Sequence, residues 1–195
     1  MNPEESAYWD AQAHERAVLR QRDNIWKRER ICERLFRESW IDERVLEIGT
    51  GLGTAAAAVQ AAILGKWVYT GTDVSATFCQ QAKKHFGFHV EHTDILALPR
   101  TEGGWTRVWA FDSLEHIRPD ERDRGWAELA DVMAPECRIT INMPLDDTSQ
   151  HDKRFDHPFG LGDLERIMDH TGCDLRLYEP YSVRGLHYAW VVLGR

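Results

Sequence analysis

The sequence predicts an α/β fold: a doubly wound, mostly parallel seven-stranded sheet with an antiparallel C-terminal hairpin, preceded by N-terminal helices. Three observations carry this. From Arg44 onward, short runs rich in β-branched and aromatic residues alternate with helix-like stretches, as strands joined by crossover helices do. An apolar run, Val45 to Ile48, passes directly into three alternating glycines and an Ala-rich helix. After Gly172 come two further runs, Cys173 to Tyr181 and His187 to Leu193, parted only by Ser182 to Gly185, which suits a hairpin at the sheet edge.

Taken in order, Glu4 to Trp40 reads as helix, with Val18, Ile25, Cys32, Leu35 and Phe36 recurring near helical spacing. Its arginines (Arg16, Arg20, Arg22, Arg28, Arg30, Arg34, Arg37) alternate with acids, the pattern of a solvated helix face rather than a polyanion site. Residues 1–42 are therefore read as an arm or lid on a core of residues 43–195, within one domain. The first five strands are expected near Val45 to Ile48, Trp67 to Thr72, Phe88 to His92, Arg107 to Phe111 and Arg138 to Asn142. Helices are expected over Thr54 to Leu64, Ala76 to Phe86, Glu121 to Met133 and Leu161 to His170.

Composition bounds the function. A chain of 195 residues, 43% hydrophobic, can bury roughly 70% of its unfolded surface without metals or disulfides. Its net charge of -8 weighs against a nucleic-acid partner, which selects for the opposite balance. Ala55 to Leu64, the longest small-apolar stretch, falls short of the roughly 20 residues a membrane span needs. The acidic start MNPEESAYWD lacks the cations and apolar run of a signal peptide, so the cytoplasm is the expected compartment. Cys32, Cys79, Cys137 and Cys173 form no CxxC pair and read as buried thiols.

The most informative stretch is VLEIGTGLGT, Val45 to Thr54. Gly49, Gly51 and Gly53 let backbone approach a ligand where a β-carbon would collide or forbid the dihedrals. Counting from Gly49, Thr54 occupies the third glycine position of a dinucleotide fingerprint, which counts against NAD. Glu47 lies where a pyrophosphate would have to sit, whereas a sulfonium and an ammonium welcome a carboxylate. Asp73, Asp94 and Asp112 end or follow the next three strands, so four successive C-terminal strand edges present acids, on the side where open α/β sheets bind ligands.

These residues resemble the class I, seven-stranded S-adenosylmethionine-dependent methyltransferases, and within them the type 11 group acting mostly on small molecules and lipids. VLEIGTGLGT is similar to the family's first motif, YTGTDVSATFCQQAKKHF to its second, HTDILALP to its third and VWAFDSLEHI to its fourth. ELADVMAPECRITINMPL resembles the segment leading into the fifth strand. The resemblance implies S-adenosylmethionine as cofactor and S-adenosylhomocysteine as product. It places Glu47 at the methionine ammonium, the Gly49, Gly51 and Gly53 backbone against the cofactor, and Asp73 on the ribose hydroxyls. Val74 and Ile95 would border the adenine, Asp94 would take its amine, and Asp112 and Leu114 would flank the methionine end. Glu136 and Cys137 replace the usual glycine pair of a turn, and Thr106 replaces an acid that often precedes the fourth strand.

Methyl transfer from a sulfonium mainly requires alignment and exclusion of water, but an oxygen or carbon acceptor must also lose a proton. His116 is the first candidate base, its ordinary pKa lying near neutrality; the bland alternative is a pocket wall. His151, in SQHDKRFDHPFG, is a second candidate, with Asp152, Asp156 and His157 nearby and Phe155 and Phe159 as apolar walls. No zinc spacing occurs, and no metal is expected. His85, His89 and His92 read as surface residues. The acceptor is expected to be a small molecule. Nucleic-acid or protein methylation, or a non-catalytic cofactor-binding regulatory module, are the alternatives. Asp112 to Glu115 lacks the two prolines and aromatic of base-amine enzymes, and Cys137 is misplaced for a cytosine C5 nucleophile.

Overall fold

The computed structural model describes residues 2–23, 31, 33–35, 42–60, 67–145, 154–183 and 185–195. In chain order these form α1 (Pro3–Asp23), β1 (Glu43–Ile48), α2 (Thr54–Gln60), β2 (Trp67–Asp73), α3 (Ala76–Phe86), β3 (Val90–His92) and β4 (Trp105–Phe111). A 3-10 turn (Leu114–His116), α4 (Arg122–Val132), β5 (Met133–Pro144), α5 (Leu161–Thr171), β6 (Asp174–Val183) and β7 (Leu186–Gly194) follow. Ile31 and residues 33–35 are helical as well.

All seven strands join one sheet in the order β3-β2-β1-β4-β5-β7-β6. Strands β1 to β5 pair in parallel, while β7 runs antiparallel to β5 and to β6. The order reverses between β1 and β4. Connections leave those two strands in opposite directions, opening a crevice at their C-terminal ends.

Both faces of the sheet are buried, which explains why its central strands read as nearly continuous apolar runs. Leu46, Ile48, Val108, Ala110, Ile139 and Ile141 pack on one face with Trp126 and Leu129 of α4 and Ile167 of α5. On the other face Val45, Trp109, Phe111, Trp190 and Val192 meet Ala55, Ala56 and Val59 of α2, with Ile31 and Leu35. Helix α3 begins where Ser75 Oγ accepts the Phe78 amide at 3.1 Å and ends at Gly87 in the left-handed region.

Two expectations are corrected. The fourth strand begins at Trp105, so Thr106 lies inside it, where its Oγ1 accepts the Arg44 amide at 3.0 Å. Helix α4 gives way directly to β5 at Met133, so Glu136 and Cys137 sit within a strand rather than a turn. An irregularity in the β4–β5 register between Trp105 and Arg107 absorbs the extra residues. The predicted ends of α2 beyond Gln60 and of the N-terminal arm fall outside the described residues.

Candidate active site

The turn after β1 is built around backbone that ordinary residues avoid. Gly49 has φ +70, and a β-carbon there would stand 2.4 Å from Cβ of Ser113, so only glycine lets β1 and the segment after β4 close on each other. Gly51 has φ +57 and open space where its β-carbon would be, the condition for a ligand to lie on the backbone. The turn is fixed from beneath. Thr50 donates its amide to Thr72 O at 2.9 Å, Gly53 donates to Thr50 O at 3.0 Å, and Gly51 donates to Asp73 Oδ2 at 2.7 Å.

The expected site residues converge on this edge. Asp73 is buried at the end of β2, and its Oδ1 takes the Ser75 amide at 2.9 Å. Asp94 follows β3 and accepts the Leu96 amide at 3.0 Å, while Ile95 is buried against Gly125, which has no side chain to displace it. Asp112 adopts φ +48 directly after β4. Its amide donates to Asn142 O at 2.9 Å and its Oδ1 accepts from Asn142 Nδ2 at 2.7 Å, so β5 aims this carboxylate. The Tyr181 hydroxyl donates to Asn142 Oδ1 and fixes the amide's orientation. Leu114 is buried in the 3-10 turn.

Glu47 is placed differently from its neighbours. Its carboxyl is enclosed one layer below the turn and accepts the Tyr69 hydroxyl at 2.5 Å; Tyr69 OH in turn lies 3.1 Å from Thr50 Oγ1. Burial pushes Glu47 up to about 8 against the opposing Tyr69 hydrogen bond, with Asp73 adding repulsion. Burial thus favours the protonated form of Glu47.

Helix α1 lies over the edge. Asp10 accepts Ser75 Oγ at 2.6 Å and the Thr77 amide at 2.9 Å, tying α1 to the start of α3. Burial opposes its ionisation, but the Ser75 and Thr77 hydrogen bonds outweigh it and hold Asp10 below the usual carboxylate range. Trp9, Ala13 and Phe78 form a cluster against which Leu52 of the turn and Val74 pack. Glu5, half-buried beside Glu121 and Asp94, is pushed up to about 7, mainly by burial and then by Glu121. A second anchor is Arg34, whose guanidinium meets both oxygens of Glu179 at 2.5 Å and lies over the Tyr181 and Trp190 rings.

His116 sits between α1 and the loop before α5. Its Nδ1 lies 3.0 Å from the Phe155 carbonyl, which only accepts, so Nδ1 carries the proton of the neutral ring and Nε2 the lone pair. Trp9 packs at 4.5 Å between ring centres, and Asp156 Oδ1 is 3.8 Å from Nδ1. Phe155 stacks on Tyr8 at 4.9 Å, and the His157 amide donates to Glu115 O at 2.8 Å. Phe155 and Phe159 are both buried, Phe159 within the core beside Trp126. His151 and Asp152 lie outside the described residues.

His85, His89 and His92 are exposed; His92 Nε2 lies 3.0 Å from Val74 O and steadies that residue. Among the described residues no group of three metal-ligating side chains occurs. Cys79, Cys137 and Cys173 are buried and free, and burial pushes the Cys79 thiol up to about 12. Among the described residues no helix is long and apolar enough to cross a membrane.

Residues 45–136 match the methyltransferase domain family. With its sheet order and C-terminal hairpin, the chain has the Rossmann-like fold of the class I methyltransferases. It is similar to the magnesium protoporphyrin IX methyltransferase of Synechocystis PCC 6803 with bound S-adenosylmethionine: 17% identity, TM-score 0.71, covering 97% of this chain and 94% of that one. It is similar also to 1,6-didemethyltoxoflavin-N1-methyltransferase of Burkholderia thailandensis: 17% identity, TM-score 0.70, 98% and 86% covered. A third is the putative methyltransferase complexed with the Trm112 activator of Haloferax volcanii: 14% identity, TM-score 0.74, 97% and 96% covered. Sequence comparison with curated proteins returns no match.

Proposed function

We propose that this chain transfers the methyl group of S-adenosylmethionine to a small-molecule acceptor. The observation that carries the reading is the meeting, at the β1/β4 crevice, of a glycine turn with open space over Gly51 and carboxylates from adjacent strand ends. The residues fit the cofactor. Asp73 presents a carboxylate of the kind that ribose hydroxyls bind, Asp94 and Ile95 stand one strand further out for the adenine, and Val74 offers it an apolar surface. Asp112, and Glu47 once ionised, place negative charge toward the cationic end.

S-Adenosylmethionine supplies a methyl group already activated on a sulfonium. The chain's own task is alignment and dehydration. Helix α1, anchored through Asp10, covers the edge from above, and Asn142 holds Asp112 toward the crevice. His116 Nε2 takes the acceptor's proton where the nucleophile is oxygen or carbon. Tyr8, Trp9 and Phe155 wall that side.

Release of S-adenosylhomocysteine, followed by mass spectrometry against a panel of amines, phenols, carboxylates and activated carbons, tests the reading. Turnover with a panel member supports it. Binding without turnover points to a regulatory module, and turnover with RNA or protein alone points to a macromolecular acceptor.

A further inference from the structure

An amide lies in the aromatic layer of the sheet. In the strand register Asn142 of β5 stands between Phe111 of β4 and Trp190 of β7, whose rings stack at 5.6 Å, and it is 1% exposed. Burying an amide among such rings costs free energy unless both of its ends are hydrogen-bonded. Both are. Nδ2 donates to Asp112 Oδ1 at 2.7 Å, and Oδ1 accepts the Tyr181 hydroxyl. A carboxylate only accepts, so the amide's two ends cannot be exchanged while Tyr181 donates to one of them.

Asp112 needs that hold. Its φ of +48 is a left-handed conformation, uncommon for a residue with a β-carbon and kept where the surroundings impose it. Tyr181 is itself seated by two neighbours: its ring stacks on Tyr188 at 5.6 Å, and the Arg34 guanidinium lies 5.7 Å from its centre. Arg34 is fixed there by both oxygens of Glu179 on the same strand, β6. One line of contacts therefore runs from the N-terminal arm, through the C-terminal hairpin and β5, to the strand edge at the crevice. Neither Arg34 nor Tyr181 belongs to the glycine turn or to the strand ends that face the cofactor in the reading above.

Resting on that cofactor reading, we infer that Tyr181, seated by Arg34, is a positioning residue for the methyl donor: it acts through Asn142 on the Asp112 carboxylate and sets the direction of the charge that meets the donor's cationic end. Loss of the Tyr181 hydroxyl frees the amide to turn. Asp112 then loses its aim without losing its charge. Through this relay the N-terminal arm contributes to donor affinity by a route separate from the cover that α1 provides.

The test is a double-mutant cycle read by calorimetry with S-adenosylmethionine. Tyr181→Phe keeps the ring and removes the hydroxyl, and Arg34→Gln removes the cation and keeps Tyr181. Each is made in the wild-type chain and in Asp112→Gly, where glycine accepts the left-handed backbone and leaves nothing to aim. With Asp112 present, the dissociation constant should rise about fivefold for Tyr181→Phe and about threefold for Arg34→Gln. In Asp112→Gly each should change it less than about twofold. A purely structural role would weaken binding equally in the two backgrounds. That result, no weakening by either variant with Asp112 present, or an Asp112→Gly chain that binds as tightly as wild type overturns the inference. A wild-type chain that does not bind S-adenosylmethionine overturns the cofactor reading, and the inference with it.

Discussion

The Gly51 amide donates to Asp73 Oδ2 at 2.7 Å, so the residue expected to hold the ribose also holds the glycine turn closed. With Oδ1 on Ser75, the Asp73 carboxylate joins the turn to the start of α3. Asp73→Ala leaves the part-buried Gly51 amide and the buried Ser75 amide without their charged acceptor. It should lower stability by about 1–3 kcal/mol in denaturant titrations of the ligand-free chain. A variant as stable as wild type would show that the turn does not depend on this carboxylate.

Asp10 and Ser75 make the corresponding tie for α1. Asp10→Ala should speed amide hydrogen exchange in α1 while leaving the sheet's protection unchanged, since the hydrogen bonds of Asp10 go to the start of α3. The sign with pH follows from the lowered carboxyl. Its contribution is complete above the ordinary carboxylate range and is lost as pH falls through the depressed value. Exchange in wild-type α1 should rise toward that of the variant in acid.

Glu47 works in the opposite direction. Burial raises its carboxyl from the ordinary 4.5 to about 8, so between those limits the unfolded chain sheds a proton that the folded chain keeps. Stability must fall as pH rises across that window and level off above it. Glu47→Gln still accepts from Tyr69 but cannot ionise, so its melting temperature should stay flatter from pH 5 to 8. Parallel curves for the two proteins would place the titration elsewhere.

His116→Gln and His116→Ala should slow transfer to an oxygen or carbon acceptor by on the order of 10²-fold. Cofactor affinity should not change, because the imidazole faces Trp9 and Phe155 rather than the glycine turn. Full activity in both variants across the pH range would leave His116 as a wall.

Most of the sheet was legible because its strands are short apolar runs ended by Gly or Asp. Helix α3 was read to the residue, since a serine precedes it and a glycine ends it. The placement of Asp73, Asp94 and Asp112 was legible for a similar reason: each ends or follows a strand on the side where the sheet opens. Applied to the fifth strand, the same rule finds Asn142, which the acid pattern passed over. Asp10 gave no signal, because a helix residue that caps another helix 65 positions away leaves no local trace. Thr106 and Glu136 were misplaced because a strand that starts directly at a helix end shows no turn residues.

Calorimetric titration of the purified chain with S-adenosylmethionine and, separately, with NAD tests the central claim most directly. Saturable equimolar binding of S-adenosylmethionine, severely weakened in Asp73→Ala, with no binding of NAD, is the predicted result. Binding of NAD in its place, or S-adenosylmethionine affinity unaffected by Asp73→Ala, would contradict it.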